Sequence, residues 1–251
     1  MTATAAEPVL TSTGLSMAFG GLTALDEVDI TVRRGQVFGL LGPNGSGKST
    51  WINCVSGIYR PKSGRVSFRG RDVTGHPPHR MYHAGLGRTF QRLENFPEMS
   101  VMENMLLALQ ESQGTLLTRL LKHTEHAERD RAGELLEFMG LTRVRDEPMK
   151  SLSYGQQKLC DLAMVLMPDP EIILLDEPMA GVNPALIGEL VERIKSLNAA
   201  GKTFVIIEHN LKVVMELCDW MVVLDYGVKL AEGLPAEIQA NEDVLEAYFG
   251  S

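Results

Sequence analysis

The sequence predicts an α/β protein with a mostly parallel central sheet, an antiparallel β layer and a helical insert. Three observations lead there. Apolar runs at residues 37–41, 172–175 and 203–207 read as strands covered on both faces. Helical stretches separate these runs, which is the alternation that builds parallel sheets. Near the start, Val28, Ile30 and Val32 alternate with Asp29, Thr31 and Arg33, the period of a half-exposed strand.

Taken in order, residues 1–8 read as a flexible tail and residues 9–251 as one domain. Residues 9–32 supply strands, Arg34-Gly35 a turn, 37–41 a buried strand and 49–56 a helix. A turn at 60–64 and short strands at 65–68 and around Asp72 return to the antiparallel layer. Pro77 and Pro78 open a brief helix, and 86–90 form a strand ending at Gln91. The pattern then changes: 101–110 and 125–139 are helical, with Leu135, Leu136 and Met139 as an apolar stripe. Ser153 starts a helix reaching about Met167, where Pro168 and Pro170 stop it, so a helical subdomain spans approximately 97–167. A strand at 172–175 runs into Asp176-Glu177-Pro178. A helix from Pro184 to about Ala199, a strand at 203–207, strands at 220–224 and 228–232 and a terminal pair of helices complete the chain.

Composition excludes several classes. The balance of 24 basic and 32 acidic residues, a net charge of −8, implies no global attraction to nucleic acid or anionic lipid. Cys54, Cys160 and Cys218 are far apart in apolar surroundings and read as buried small hydrophobes in a reducing compartment. No apolar run reaches the roughly 18 residues of a membrane span, and the first residues lack a signal-peptide pattern, so a cytosolic protein is expected. The pairs His79/His83 and His123/His126 lack accompanying ligands and read as solvated side chains.

The chemistry centres on Gly42-Pro43-Asn44-Gly45-Ser46-Gly47-Lys48-Ser49-Thr50. With four residues between Gly42 and Gly47, followed by Lys and Ser, this is the phosphate-binding P-loop pattern, lying between a strand and a helix as that pattern requires. Glycines let backbone N–H groups turn inward around a phosphate, and the following helix points its positive end at the same anion. Lys48 is expected to reach the β- and γ-phosphates and the Ser49 hydroxyl to hold Mg²⁺. Asp176 ends a strand, where one carboxylate can bind Mg²⁺ through water; neighbouring Glu177 can polarise a water as general base. His209 follows the strand at 203–207 and can hydrogen-bond a γ-phosphate. Ser153 with Gln156 three residues on forms a capping box, and such a helix end is also an anion site, with Gly155 between them.

Together these stretches resemble the nucleotide-binding subunit of ATP-binding cassette (ABC) transporters, in that family's order and over essentially the whole chain. The resemblance assigns a P-loop NTPase fold, ATP and Mg²⁺ as cofactors, and ATP hydrolysis coupled to solute translocation. The glutamine loop matches Gln91, a nucleotide and metal contact. The signature matches residues 152–156, the catalytic glutamate Glu177, the switch histidine His209, and the adenine-stacking aromatic Phe19. Two positions depart from the family pattern: Tyr154 replaces the first glycine of the signature, and Asn183 stands where aspartate is usual. If Tyr154 points outward, the backbone of the signature stays available to phosphate.

Both departures, with residues 88–91, 96–101 and the ending Ala247-Tyr248-Phe249-Gly250, are similar to the branch importing branched-chain and other hydrophobic amino acids. Urea or amide importers and a lipopolysaccharide-export ATPase are close relatives. The resemblance further implies a second ATPase subunit that sandwiches ATP, more often a different chain than an identical one. It also implies two transmembrane permease subunits, a periplasmic solute-binding protein, and a peripheral place on the cytoplasmic face of the inner membrane. A soluble ABC ATPase acting on nucleic acid is disfavoured by the single cassette and by the lack of a basic tail or long coiled-coil insertion.

Overall fold

The structure, a computed structural model, describes residues 6–89, 95–109 and 123–249. Thus residues 1–5 of the expected tail, Phe90 and Gln91, the centre of the helical insert and Gly250 lie outside the described residues. Strands β1 (Pro8–Phe19) and β2 (Leu22–Arg33) pair antiparallel, so regular structure starts one residue earlier than the sequence suggests. Strand β3 (Val37–Leu41) leads through the glycine-rich loop into helix α1 (Lys48–Val55). Strands β4 (Ser63–Phe68) and β5 (Arg71–Asp72) extend the first sheet to the order β2-β1-β4-β5.

Helix α2 (Pro78–Ala84) precedes β6 (Leu86–Arg88), which ends before residue 90. Helices α3 (Val101–Leu107), α4 (His123–Phe138) and α5 (Tyr154–Leu166) pack on one another. Strand β7 (Ile172–Asp176), helix α6 (Pro184–Ala199) and strand β8 (Thr203–Ile207) follow. Helix α7 (Leu211–Leu217), unassigned from sequence, leads to β9 (Trp220–Asp225), β10 (Val228–Gly233), α8 (Pro235–Gln239) and α9 (Glu242–Phe249).

The second sheet has the order β10-β9-β3-β8-β7-β6, parallel except for the antiparallel edge strand β10. Side-chain parity divides its burial. Phe38, Leu40, Leu174 and Ile207 pack toward the antiparallel sheet with Trp51, Ile52 and Val55 of α1 between. Val37, Leu41, Leu175 and Ile206 pack on the opposite face with residues of α5, α6 and α7. Hence β3, β7 and β8 are buried at every residue, which accounts for their unbroken apolar runs. Gly39 gives β3 room where the end of α7 crosses closely, since a Cβ there would lie 3.0 Å from Cys218 Sγ and force that neighbour to give way. All three cysteines are buried; dehydration pushes the Cys54 thiol pKa up to about 11 and those of Cys160 and Cys218 to about 12, so none is reactive.

Asn104 secures the approach to the helical region. Fully buried, it accepts the Phe96 N–H through Oδ1 at 2.8 Å and donates from Nδ2 to Phe96 O at 3.1 Å and Ser100 O at 2.9 Å. Replacing Asn104 with Ala leaves the Phe96 N–H without its acceptor and removes the Nδ2 bonds from a buried position, and should lower unfolding free energy by about 1–3 kcal/mol in a denaturant titration.

Candidate functional site

Register brings the chemistry to one edge. Leu40 of β3 and Asp176 of β7 both align with Ile207 of β8, so the loop after β3, the carboxylates after β7 and the turn after β8 emerge together at the carboxyl edge. That edge is where open α/β sheets place ligands.

In the glycine-rich loop the backbone takes φ values of 142° at Gly42, 83° at Gly45 and 105° at Gly47. A Cβ on Gly42 would lie 2.1 Å from Leu224 O, and one on Gly47 2.6 Å from Ala24 O, so two of the three glycines are sterically obligatory. Gly45 faces open space and is required only by its φ. Lys48, buried at the start of α1, donates from Nζ to Gly42 O and Pro43 O, both at 2.8 Å. Its dehydration lowers the ammonium pKa, while the charges of Glu177 and Asp176 oppose that shift. Ser49 lies exposed in the first turn, Ser46 is buried, and Thr50 is partly buried.

Asp176 ends β7 with burial raising its carboxyl pKa; Arg88, whose Nη2 lies 3.4 Å from Oδ2, and the more distant Lys158 oppose the shift without cancelling it. Sequence reasoning did not include Arg88 among the site residues. Its other terminal nitrogen, Nη1, donates to Ser56 Oγ at 2.7 Å, joining the end of α1 to the end of β7. Glu177 takes the left-handed conformation at φ 50°, and its Oε1 lies 2.7 Å from His209 Nε2. The two residues proposed separately from sequence therefore meet.

Ser153 and Gln156 make both reciprocal bonds of the expected capping box at α5. Tyr154 only partly matches the outward orientation considered from sequence. The residue is 43% exposed, yet one edge of its ring lies on the loop after β7, where a Cβ on Gly181 would sit 3.0 Å from Tyr154 Cε1. At Gly155 a Cβ would lie 2.3 Å from Leu186 Cδ1, so the start of α5 packs directly on the start of α6. Asn183 caps α6 through Oδ1, which accepts the Leu186 N–H at 3.0 Å; that cap requires an oxygen but no charge. Phe19 is exposed at the end of β1, edge-on to Tyr59 with centroids 5.3 Å apart, and so is not a core side chain. Gln91 lies outside the described residues, and its position relative to this cluster is not defined.

Comparison with known proteins accords with this geometry. The family pattern described as ABC transporter matches residues 25–180. The chain belongs to the ABC transporter family. A second pattern, branched-chain amino acid ATP-binding cassette transporter, matches residues 228–251. The high-affinity branched-chain amino acid transport ATP-binding protein LivG of Salmonella typhimurium is 39% identical over 251 residues, covering 97% of this chain and 98% of its own. The probable LivG of Archaeoglobus fulgidus is 40% identical over 248 residues, covering 97% and 96%. Among solved structures, the ADP conformation of an ATP-binding cassette of an ABC transporter superposes with a TM-score of 0.88 at 36% identity, covering 98% of this chain and all of that one.

This cassette is thus an ATP-binding P-loop protein and an ATPase. The C-terminal stretch matched by the second pattern reaches the site itself: Tyr248 of α9 accepts the Gly42 N–H at 2.7 Å. Sequence inspection singled out that ending only as a likeness, because nothing local connects it to a loop 206 residues away. Replacing Tyr248 with Phe leaves the buried Gly42 N–H without its acceptor and should weaken ATP binding by about tenfold in a fluorescent-nucleotide titration. Changing Asp176 to Asn relieves a dehydrated charge. Because the folded carboxyl pKa lies above its unfolded value, the protonated form favours folding and ionisation costs stability as pH rises through the folded pKa. The variant should therefore melt higher than the parent at pH 7, the gap closing as pH falls toward the unfolded carboxylate pKa of about 3.9.

Proposed function

We propose that this cassette hydrolyses ATP with Glu177 and His209 to energise uptake of branched-chain amino acids. The observation that carries the reading is the 2.7 Å contact between the two side chains at the sheet edge bearing the phosphate loop. The full-length likeness to LivG proteins, together with the C-terminal match, supports the solute class.

The roles follow from chemistry. Amides of residues 44–50, from the glycine-rich loop into the start of α1, bind the phosphates, and the Lys48 ammonium transfers from the Gly42 and Pro43 carbonyls to phosphate oxygens. Phe19, exposed at the end of β1, offers its ring for stacking on adenine. Glu177 takes a proton from the attacking water, while His209 holds the carboxylate in place and hydrogen-bonds the γ-phosphate. Ser49 and Asp176 would hold Mg²⁺ through their oxygens, with Gln91 added by resemblance; burial raises the Asp176 carboxyl pKa, and a cation would favour its ionised form. Bound there, Mg²⁺ neutralises charge on the β- and γ-phosphates.

Neither half-site encloses the γ-phosphate. The capped start of α5, with Ser153, Gly155 and Gln156, is the surface that a second ATPase subunit's nucleotide would meet, while that subunit's own capped helix covers this P-loop. The helical subdomain at about 97–167 would pass closure to two permease subunits on the cytoplasmic side of the membrane, with a periplasmic binding protein delivering the solute. No helix among the described residues is long and apolar enough to cross a membrane, so this chain would attach through those subunits.

The decisive test is Glu177→Gln in the assembled transporter. ATP binding should stay within about twofold of the parent while turnover falls at least about 100-fold. Normal turnover would exclude Glu177 as the base. Leucine uptake into vesicles bearing the parent complex tests the solute.

A further inference from the structure

The loops bearing Glu177 and His209 are joined by a side chain to which neither the family motifs nor the mechanism above gives a role. Glu208 follows the last residue of β8 and is only 4% exposed. Its Oε1 accepts the Met179 N–H at 2.7 Å, in the loop after β7. Its Oε2 accepts the His209 N–H at 3.1 Å and faces the Asn210 N–H at 3.5 Å. A buried carboxylate is costly unless its oxygens are satisfied, and here backbone amides from two different loops satisfy them.

The same two loops meet a second time at the Glu177–His209 contact, so a closed circuit runs from Glu177 through Met179, Glu208 and His209 back to Glu177. Glu177 is in the left-handed region, and its own N–H is held by Ile207 O at 2.9 Å. Its neighbours therefore restrain its backbone from both sides. Beyond Met179 the loop continues to Gly181, on which the Tyr154 ring at the start of α5 rests. Displacement of that loop thus has a direct mechanical path to His209 through one carboxylate.

We propose that Glu208 is a positioning residue for ATP hydrolysis: it ties the loop after β7 to the turn after β8 and thereby holds His209 against Glu177. The inference rests on the assignment of Glu177 and His209 to hydrolysis. Glu208 touches neither nucleotide nor the reacting water; it acts through His209. A glutamine here keeps the volume and one acceptor oxygen for Met179, but turns an NH₂ group toward the amides of His209 and Asn210, where donor faces donor.

The experiment is a double-mutant cycle in the full-length cassette assembled with its partner subunits, using Glu208→Gln, His209→Ala and both together. Steady-state kcat and KM, nucleotide affinity and melting temperature are measured for each. Glu208→Gln should lower kcat by about 10- to 100-fold, with KM and nucleotide affinity within about twofold. In the His209→Ala background the same change should cost less than about threefold, because the residue through which it acts is gone. Parental kcat in Glu208→Gln, or an equal proportional loss with and without His209, would overturn the proposal. Glu208→Asp serves if the glutamine variant does not fold: it keeps the charge but is one methylene too short to span both loops, and the same kcat loss is expected. Should His209→Ala itself turn over normally, the histidine's role falls and this inference with it; a normal Glu208 variant beside an impaired His209 variant removes this inference alone.

Discussion

An ammonium group buried inside a loop of its own backbone is the constraint on which this molecule depends. Lys48 is removed from water and held by two carbonyl oxygens with two carboxylates nearby, a compromise that leaves its proton less firmly bound than in solution. In the proposed function a triphosphate would satisfy that group better than carbonyls can, since it would supply full negative charge in a site already dehydrated. The loop can hold the lysine this way only because Gly42 and Gly47 leave no Cβ against Leu224 and Ala24. The first contact exists because β9 lies beside β3, and the second because β2 of the antiparallel sheet packs against the start of α1.

The fold accordingly serves to bring separate loops to one edge and then lash them together. Arg88 joins the end of β7 to the end of α1, Tyr248 joins α9 to the entrance of the phosphate loop, and Glu208 joins the loops after β7 and β8. The Tyr248, Glu208 and Arg88–Ser56 bonds are short and largely shielded from water, where such bonds are strong and their loss is costly, whereas the Arg88–Asp176 approach is longer, at 3.4 Å. On the helical side the attachment is apolar and close: Tyr154 against Gly181, and Gly155 against Leu186. The start of α5 therefore cannot shift far without carrying the loop after β7 along. Tyrosine in place of the family's first signature glycine has a mechanical consequence, since it adds a broad contact to that joint.

Much of the architecture could be read directly from the residues. Strands β3 and β8 and helix α6 have the bounds their patterns suggest, because a doubly covered strand and a long helix opened by Pro184 leave strong local signals. The capping box at α5 was equally plain, being a four-residue pattern with a local cause. Helix α7 escaped because its seven residues are too few to establish a period, although Asn210 as cap and Val213, Val214 and Leu217 as a buried stripe were there to be found. Glu208 looked like one more polar residue after a strand, and Arg88 like a fragment of a family resemblance.

By itself, then, the order of residues determined which segments bury both faces, where the phosphate loop lies and which carboxylates follow which strand. These are consequences of short-range sterics and of hydrophobic periodicity, both confined to neighbours along the chain. Only the tertiary structure decided that Glu177 meets His209 across 32 positions, that Arg88 meets Asp176 across 88, and that Tyr248 meets Gly42 across 206. Such pairings are set by strand order and register, which arise from the packing of the whole core and leave no mark in any one stretch of sequence.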